Sequence, residues 1–250
     1  MDLAPHTRVA LLDGFALRLR GGGPGTAVKD LPRGAQRLVA HLSLCGRPAR
    51  TAIAGQLWPD APEKHAHGSL RSVLWRLHKS APGLVEASGG ALCLARGVRV
   101  DVHDLTDWGQ RVLDPRTGVD DIPVPDVGLR GELLPGWYDD WVLLERERLR
   151  QLRMHALEAL ADKLARVGRY GEAVQAAYGA VRADPLRESA HRAVVRVHLA
   201  EGNLGEAVHA YDSFRTRLAD ELGVTPTPQM SQLICRVVPP RRRPQSTTRP

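Results

Sequence analysis

The sequence predicts a mainly α protein with small β elements, an N-terminal winged helix followed by an all-α domain of tetratricopeptide-like units. Three observations carry this. Short apolar runs at both ends of the first hundred residues bracket three amphipathic stretches with helical spacing. "GRYGEAVQA" (168–176) returns as "GNLGEAVHA" (202–210), six of nine positions identical at an offset of 34 residues, the length of a tetratricopeptide helix hairpin. Hydrophobic residues make up 43% of the chain, enough for packed cores.

The elements follow in order. "RVALLDGFALRL" (Arg8 to Leu19) places two apolar runs around Asp-Gly, a hairpin signal. "GGGPG" at 21–25 reads as a loop; no Gly precedes any of the four lysines, so a Walker A motif is absent. Ala35, Leu38, Val39, Leu42 and Cys45 share one helical face that Gly46 ends. Thr51 is the expected cap of a second helix with Ile53, Ala54 and Leu57 inward, stopped by Pro59. A third helix runs from about Pro62 to Ser80, with Ala66, Leu70, Val73, Leu74 and Leu77 as its apolar stripe. "LVEA", "SGG" and "ALCLA" then read as strand, turn and strand, ahead of "GVRVDV".

The face of the third helix opposite its stripe carries Lys64, Gly68, Arg71, Ser72, Trp75 and Lys79, with Arg76 at the flank and no acid. Such a face suits the major groove of DNA, where Arg reads guanine. Packing of Trp75 beneath the neighbouring hairpin is the competing reading of that residue. Arg96 and Arg99 lie near the hairpin and are expected at backbone phosphates.

Leu105, Trp108 and Val112 mark a further helix, and the long stretch from Trp137 to Gly168 is helical, with one break expected. The cluster Trp137, Tyr138 and Trp141 reads as a helix anchor or as an aromatic cage. In the repeat, Gly168 and Gly202 separate helices, Glu172 and Glu206 favour the dipole of the next first turn, and Ala173 and Ala207 allow close approach. Pro185 ends the second helix of the first unit, and Leu157, Leu160, Ala161 and Leu164 face inward before it.

Charge divides the chain. Met1 to Asp107 holds 14 Lys and Arg against 9 Asp and Glu, Trp108 to Arg150 holds 6 against 9, and the last twelve residues hold four Arg and no acid. The divisions drawn are a DNA-binding winged helix over 1–100, a helical domain over 101–238, and a disordered basic tail over 239–250. Net charge of +7 favours a nucleic-acid partner. The three cysteines have no metal or redox spacing and read as reduced thiols. No run approaches the roughly 20 apolar residues of a membrane helix, and no secretory signal is seen, so a cytoplasmic, nucleoid-associated protein without a membrane partner is expected. His65, His67 and His78, and the cluster Asp101, His103 and Asp104, lack the company of a metal or nucleophile site, so no enzyme, metal or cofactor is expected.

"QRLVAHLSLCGRPARTAIAGQLWPD" with "GSLRSVLWRLHK" resembles the DNA-binding domain of Streptomyces antibiotic regulatory proteins. "LLPGWYDDWVLLERERLRQLRMHALEALADKLARVGRYGEAVQAA" and the stretch to "GVTPTP" resemble their bacterial transcriptional activation domain. The resemblance covers roughly residues 8 to 235. It implies a response-regulator-type winged helix, the output domain of two-component systems, with Gly68 to Lys79 as recognition helix and Ser88 to Ala91 as wing. It further implies an activator of antibiotic biosynthesis genes that binds tandem direct repeats in double-stranded DNA beside a second copy of itself and recruits RNA polymerase holoenzyme. With no receiver domain ahead and no nucleotide-binding module behind, the small stand-alone form is expected. A fragment ending near Leu105 is expected to contact DNA weakly without activating. The alternative is a helical-repeat scaffold without specific DNA binding.

Overall fold

A computed structural model describes residues 7–19, 31–122 and 131–235. The glycine-rich stretch at 21–25 and the basic tail at 239–250 lie outside the described residues. The chain is mainly helical with small sheets. Its contacts form two compact units, one from the described residues of Met1–Trp108 and Pro123–Leu149, the other from those of Gly109–Ile122 and Arg150–Pro250. This differs from the boundary drawn at residue 100, and the reason lies in long-range pairing within the first unit.

In that unit, β1 (Arg8–Ala10) and β2 (Ala16–Arg18) form the expected antiparallel hairpin, and Asp13 and Gly14 take positive φ in its turn. β5 (Arg99–Val100) pairs parallel to β1. At its end, Asp101 is buried and its carboxylate accepts the backbone N–H groups of Leu11, Leu12 and Val102 at 2.8–3.0 Å. Burial pushes its pKa up, against those three bonds. Residues 132–134 then return to the same hairpin. Leu133 bridges Leu12, Asp13 N–H donates to Glu132 O at 2.8 Å, and Leu134 N–H donates to Leu11 O at 2.8 Å.

Helices α1 (Arg33–Cys45), α2 (Arg50–Leu57) and α3 (Glu63–Ser80) lie between the sheets in sequence. Their buried faces match the expected stripes, save that Cys45 is exposed and Val73 and Leu74 are only half-buried. Thr51 is not the cap of α2. The cap is Ala49, two residues earlier, because Ala49 bridges Ala91 and Arg50 N–H donates to Gly90 O at 3.1 Å. β3 (Val85–Ser88) and β4 (Ala91–Leu94) form a hairpin closed by Gly89 and Gly90, at φ 59° and 80°, values that glycine adopts without strain. α1 and α3 approach closely: a Cβ on Gly34 would lie 3.1 Å from Val73 Cγ2.

α4 (Asp101–Leu113) buries Leu105, Trp108 and Val112, and α5 (Asp140–Arg166) runs 27 residues without the expected break. The second unit comprises the last turns of α4, a 3-10 turn at Val119–Asp121, most of α5, and α6 (Tyr170–Ala183), α7 (Glu188–Glu201), α8 (Leu204–Leu222) and α9 (Pro228–Cys235). Gly168 and Gly202 take φ 79° and 88° at the helix breaks, and Ala173 and Ala207 are fully buried. One core joins α5, α6 and α7 around Ala161, Leu164, Ala177 and Val194; another joins α7, α8 and α9 around Val195, Phe214 and Met230. Lys163 Nζ donates to Asp114 O and Thr117 O at 2.7 Å each, tying α5 to the turn after α4. The Glu188 carboxylate accepts from Thr227 N–H at 2.8 Å and from its hydroxyl, fixing the start of α9.

Candidate nucleic-acid interface

The candidate interface centres on α3. Ala66, Leu70 and Leu77 bury one side of the helix, and at about 100° per residue that aims Lys64, Arg71, Ser72, Trp75, Arg76 and Lys79 outward. All six are exposed and Gly68 is half-buried. Glu63 in the first turn is the only acid of α3. Trp75 is 67% exposed, so it does not pack beneath the hairpin, and Lys79 Nζ lies 5.7 Å from its ring centroid. The Arg71 guanidinium folds back over Gly68, where a Cβ would stand 3.9 Å from it. The Ser72 hydroxyl donates to Gly68 O at 3.1 Å, which leaves its lone pairs outward.

Gly34, Trp58, Gly68, Ser69, Arg71, Ser72, Val73 and Arg76 line an open concavity of about 660 Å³ beside this face. Ser88 is exposed at the tip of the β3–β4 hairpin, and Arg96 is exposed just beyond β4. Arg99 is exposed on β5, but its guanidinium donates to Asp104 Oδ1 at 3.2 Å, so its charge is already partnered. Lys64, Arg71, Arg76, Lys79 and Arg96 have no carboxylate partner among the described residues.

Two further cations escaped the sequence reading. Arg47 and Arg50 are exposed on either side of the Pro48–Ala49 stretch, which pairs with the hairpin as Leu92 N–H donates to Pro48 O at 3.1 Å. The signal was available as "GRPAR", two arginines without an acid between helices. Arg50 shares a small pocket with His78, Glu86 and Leu92, which brings it to the seam between α3 and the hairpin.

The tryptophan cluster is an anchor. Trp137 and Trp141 are buried, while Tyr138 is 78% exposed. No group of three or more His, Cys, Asp or Glu able to hold a metal occurs among the described residues. No helix there is long and apolar enough to cross a membrane.

Residues 129–237 match the family model of the bacterial transcriptional activator domain. The chain is 32% identical over 241 residues to the regulatory protein AfsR of Streptomyces coelicolor, covering 89% of this chain and 24% of that protein. It is 31% identical over 212 residues to AfsR of Streptomyces griseus, covering 77% of this chain and 21% of that protein. The chain thus spans about a quarter or less of the length of these curated relatives. Mycobacterium tuberculosis EmbR, solved in complex with a low-affinity phosphopeptide, shares the fold, with a TM-score of 0.71 over 92% of this chain and 64% of that one at 20% identity. The chain thus carries a bacterial transcriptional activator domain and is homologous, over most of its length, to the AfsR regulatory proteins of the Streptomyces antibiotic regulatory protein family.

Proposed function

We propose that the protein is a sequence-specific DNA-binding transcriptional activator. Its first unit acts as a winged helix, with α3 in the major groove and the β3–β4 hairpin over adjacent backbone. One observation carries the reading: the exposed face of α3 holds Lys64, Arg71, Arg76 and Lys79 with no carboxylate partner among the described residues and keeps Trp75 in solvent. Charges left unpaired on a folded surface are available to phosphates and base edges. Arg71 and Ser72 read bases, with Trp75 against a thymine methyl. Lys64, Arg76, Lys79, Arg96 and Ser88 at the wing meet backbone, and the close approach of Gly68 lets the helix sit deep. Arg99 contributes less because Asp104 holds it.

The α5–α8 hairpins act as tetratricopeptide-like units that present an interaction surface rather than a catalytic site. Two copies on direct repeats face the same way along DNA, which gives a head-to-tail contact and a repeat spacing of about 10–11 base pairs. RNA polymerase is the partner that such a pair recruits, and secondary-metabolite genes are the targets that the family suggests.

A gel-shift titration on promoter DNA from the gene's own neighbourhood tests this. A preference for one direct-repeat site that survives competitor DNA is expected. Equal binding to unrelated DNA would remove the base-reading role, and no binding would leave a protein-interaction scaffold. Inserting five base pairs between the repeats turns one copy by about half a turn, and undiminished cooperativity would rule out the side-by-side arrangement.

A further inference from the structure

The first unit includes residues that sequence assigns to the activator domain. The family match begins at residue 129, yet residues 131–149 pack with the N-terminal unit. The docking is specific. Gly131 sits so close to Asp13 that a Cβ there would collide with the carboxylate, and Glu132 N–H donates to Asp13 Oδ1 at 3.1 Å. Arg146 gathers the loop from below: its guanidinium donates to Leu133 O, Leu134 O and Trp137 O at 2.8–3.0 Å and pairs with Glu132 at 2.9 Å. That grip holds Leu134 at a φ of +44°, a left-handed value for a branched side chain.

The loop so fixed meets α1 at three successive turns. The Arg33 guanidinium lies 3.7 Å from the centroid of the Trp137 ring. The next turn is held by an ion pair between Arg37 and Asp139. One turn further, the His41 ring stands edge-on to Trp141 with centroids 5.2 Å apart. Positions 33, 37 and 41 are i, i+4 and i+8, one line along a helix. α1 then passes the constraint on. Its Gly34 abuts Val73 of α3, and His41 is hydrogen-bonded to Gln56 of α2.

We propose that Trp137, Asp139 and Trp141 are positioning residues for DNA reading: they clamp α1 at three turns and through it seat α3. All three lie against α1, outside the exposed face of α3 and the β3–β4 hairpin. The inference rests on the DNA-binding reading above and adds that the opening of the activator domain is required for it. It also changes what is expected of a fragment ending near Leu105, which lacks the clamp.

The test uses the full chain. Arg37→Gln, Asp139→Asn and the double variant are titrated against operator DNA over a salt series, with wild type and Arg71→Ala alongside. Each single change is expected to weaken operator binding on the order of fivefold. The double variant should be no weaker than either single, since both remove one pair. The salt slope should stay at the wild-type value, because no phosphate contact is lost. Affinities within twofold of wild type, or additive losses, would overturn the clamp. Hydrogen exchange on the wild type covers the case of variants that fail to fold. Amides in 137–147 should gain protection when operator is added, and gains confined to the elements between 49 and 96 would overturn the proposal. A wild type that binds no DNA removes both readings; one that loses site preference through Arg71→Ala while the Arg37 and Asp139 variants bind normally removes the clamp alone.

Discussion

The α3 face and the helix pairs of the second unit hold several of their cations differently. On α3 and just beyond the hairpin, Arg71, Arg76, Lys79 and Arg96 stand in solvent without a carboxylate partner among the described residues. In the second unit, Arg169 pairs with Glu172 and Asp120, Arg187 with Glu158, Arg192 with Glu188, Arg196 with Asp162 and Arg215 with Asp212. An exposed ion pair adds little stability, but it neutralises a surface. A surface left unneutralised keeps its field for a polyanion. The paired cations of the second unit therefore suit contacts between proteins, and the unpaired cations of the α3 face suit the DNA contact proposed for it.

The contrast can be broken most sharply at Arg71. Arg71→Ala should cost about 1–3 kcal/mol of specific binding and relax preference at one base position. Its unfolding midpoint in urea should not move, because the side chain has no ion-pair partner among the described residues. An unchanged operator affinity would end its base-reading role.

Arg187 should behave in reverse. Its guanidinium donates to Glu158 Oε1 at 2.8 Å and contacts Gln151 and His155, with both ionic side chains only about one-fifth exposed. Arg187→Ala should lower stability by about 1–2 kcal/mol, the scale of a charge-assisted bond broken in a partly buried site. DNA affinity should be unaffected at temperatures where the chain remains folded. A loss of binding with no loss of stability would place Arg187 in the interface instead.

Arg96 and Arg99 sharpen the same point within the first unit. Arg96→Ala should weaken binding to all sequences alike and reduce the salt slope by about 0.9. Arg99→Ala should change the slope less, since Asp104 already holds that guanidinium. Equal slopes in the two variants would mean that the Asp104 contact does not persist on DNA.

The smallest expected effect is on pH. Burial, opposed by the Gln56 hydrogen bond, lowers the pKa of His41, and burial lowers that of His191 as it stacks on Phe214. The folded state then binds fewer protons than the unfolded chain just below the ordinary histidine value of 6.5. Stability should therefore be full above that value and decline as pH falls from it toward the folded-state pKa. Urea unfolding at pH 7.5 and 5.5 measures this, and a His41→Gln variant should lose part of the difference. An unchanged difference would assign the acid sensitivity to other groups.

Local patterns were legible in the sequence and distant pairings were not. The stripe of α3 has helical spacing within 18 residues, so its outward face could be read before any fold was known. The duplicated Gly-Glu-Ala-Val phrase marked two helix starts because the same backbone turn needs the same small residues. A lone aromatic on a polar face carries no periodicity, so the sequence leaves Trp75 between two readings; its exposure rules out the packing beneath the hairpin. Thr51 misled because the true start of α2 is set by a bridge to Ala91, some forty residues away. Asp101 reads in sequence as part of a polar cluster, whereas it holds Leu11 and Leu12, just beyond β1, across about ninety residues. Nothing near Leu133 in sequence announces that it will pair with Leu12.

That last pairing bears on how the protein is made. Synthesis begins at the N-terminus, and domains generally fold as they emerge. Here β1 and β2 appear early but must wait for Leu133, Trp137 and Arg146 before their unit is whole. Closing so long a loop is entropically costly and slow. During that interval the α1 face that Trp137 and Trp141 will cover stands bare on the ribosome. The nascent chain therefore completes its first unit only after the start of α5 has been translated.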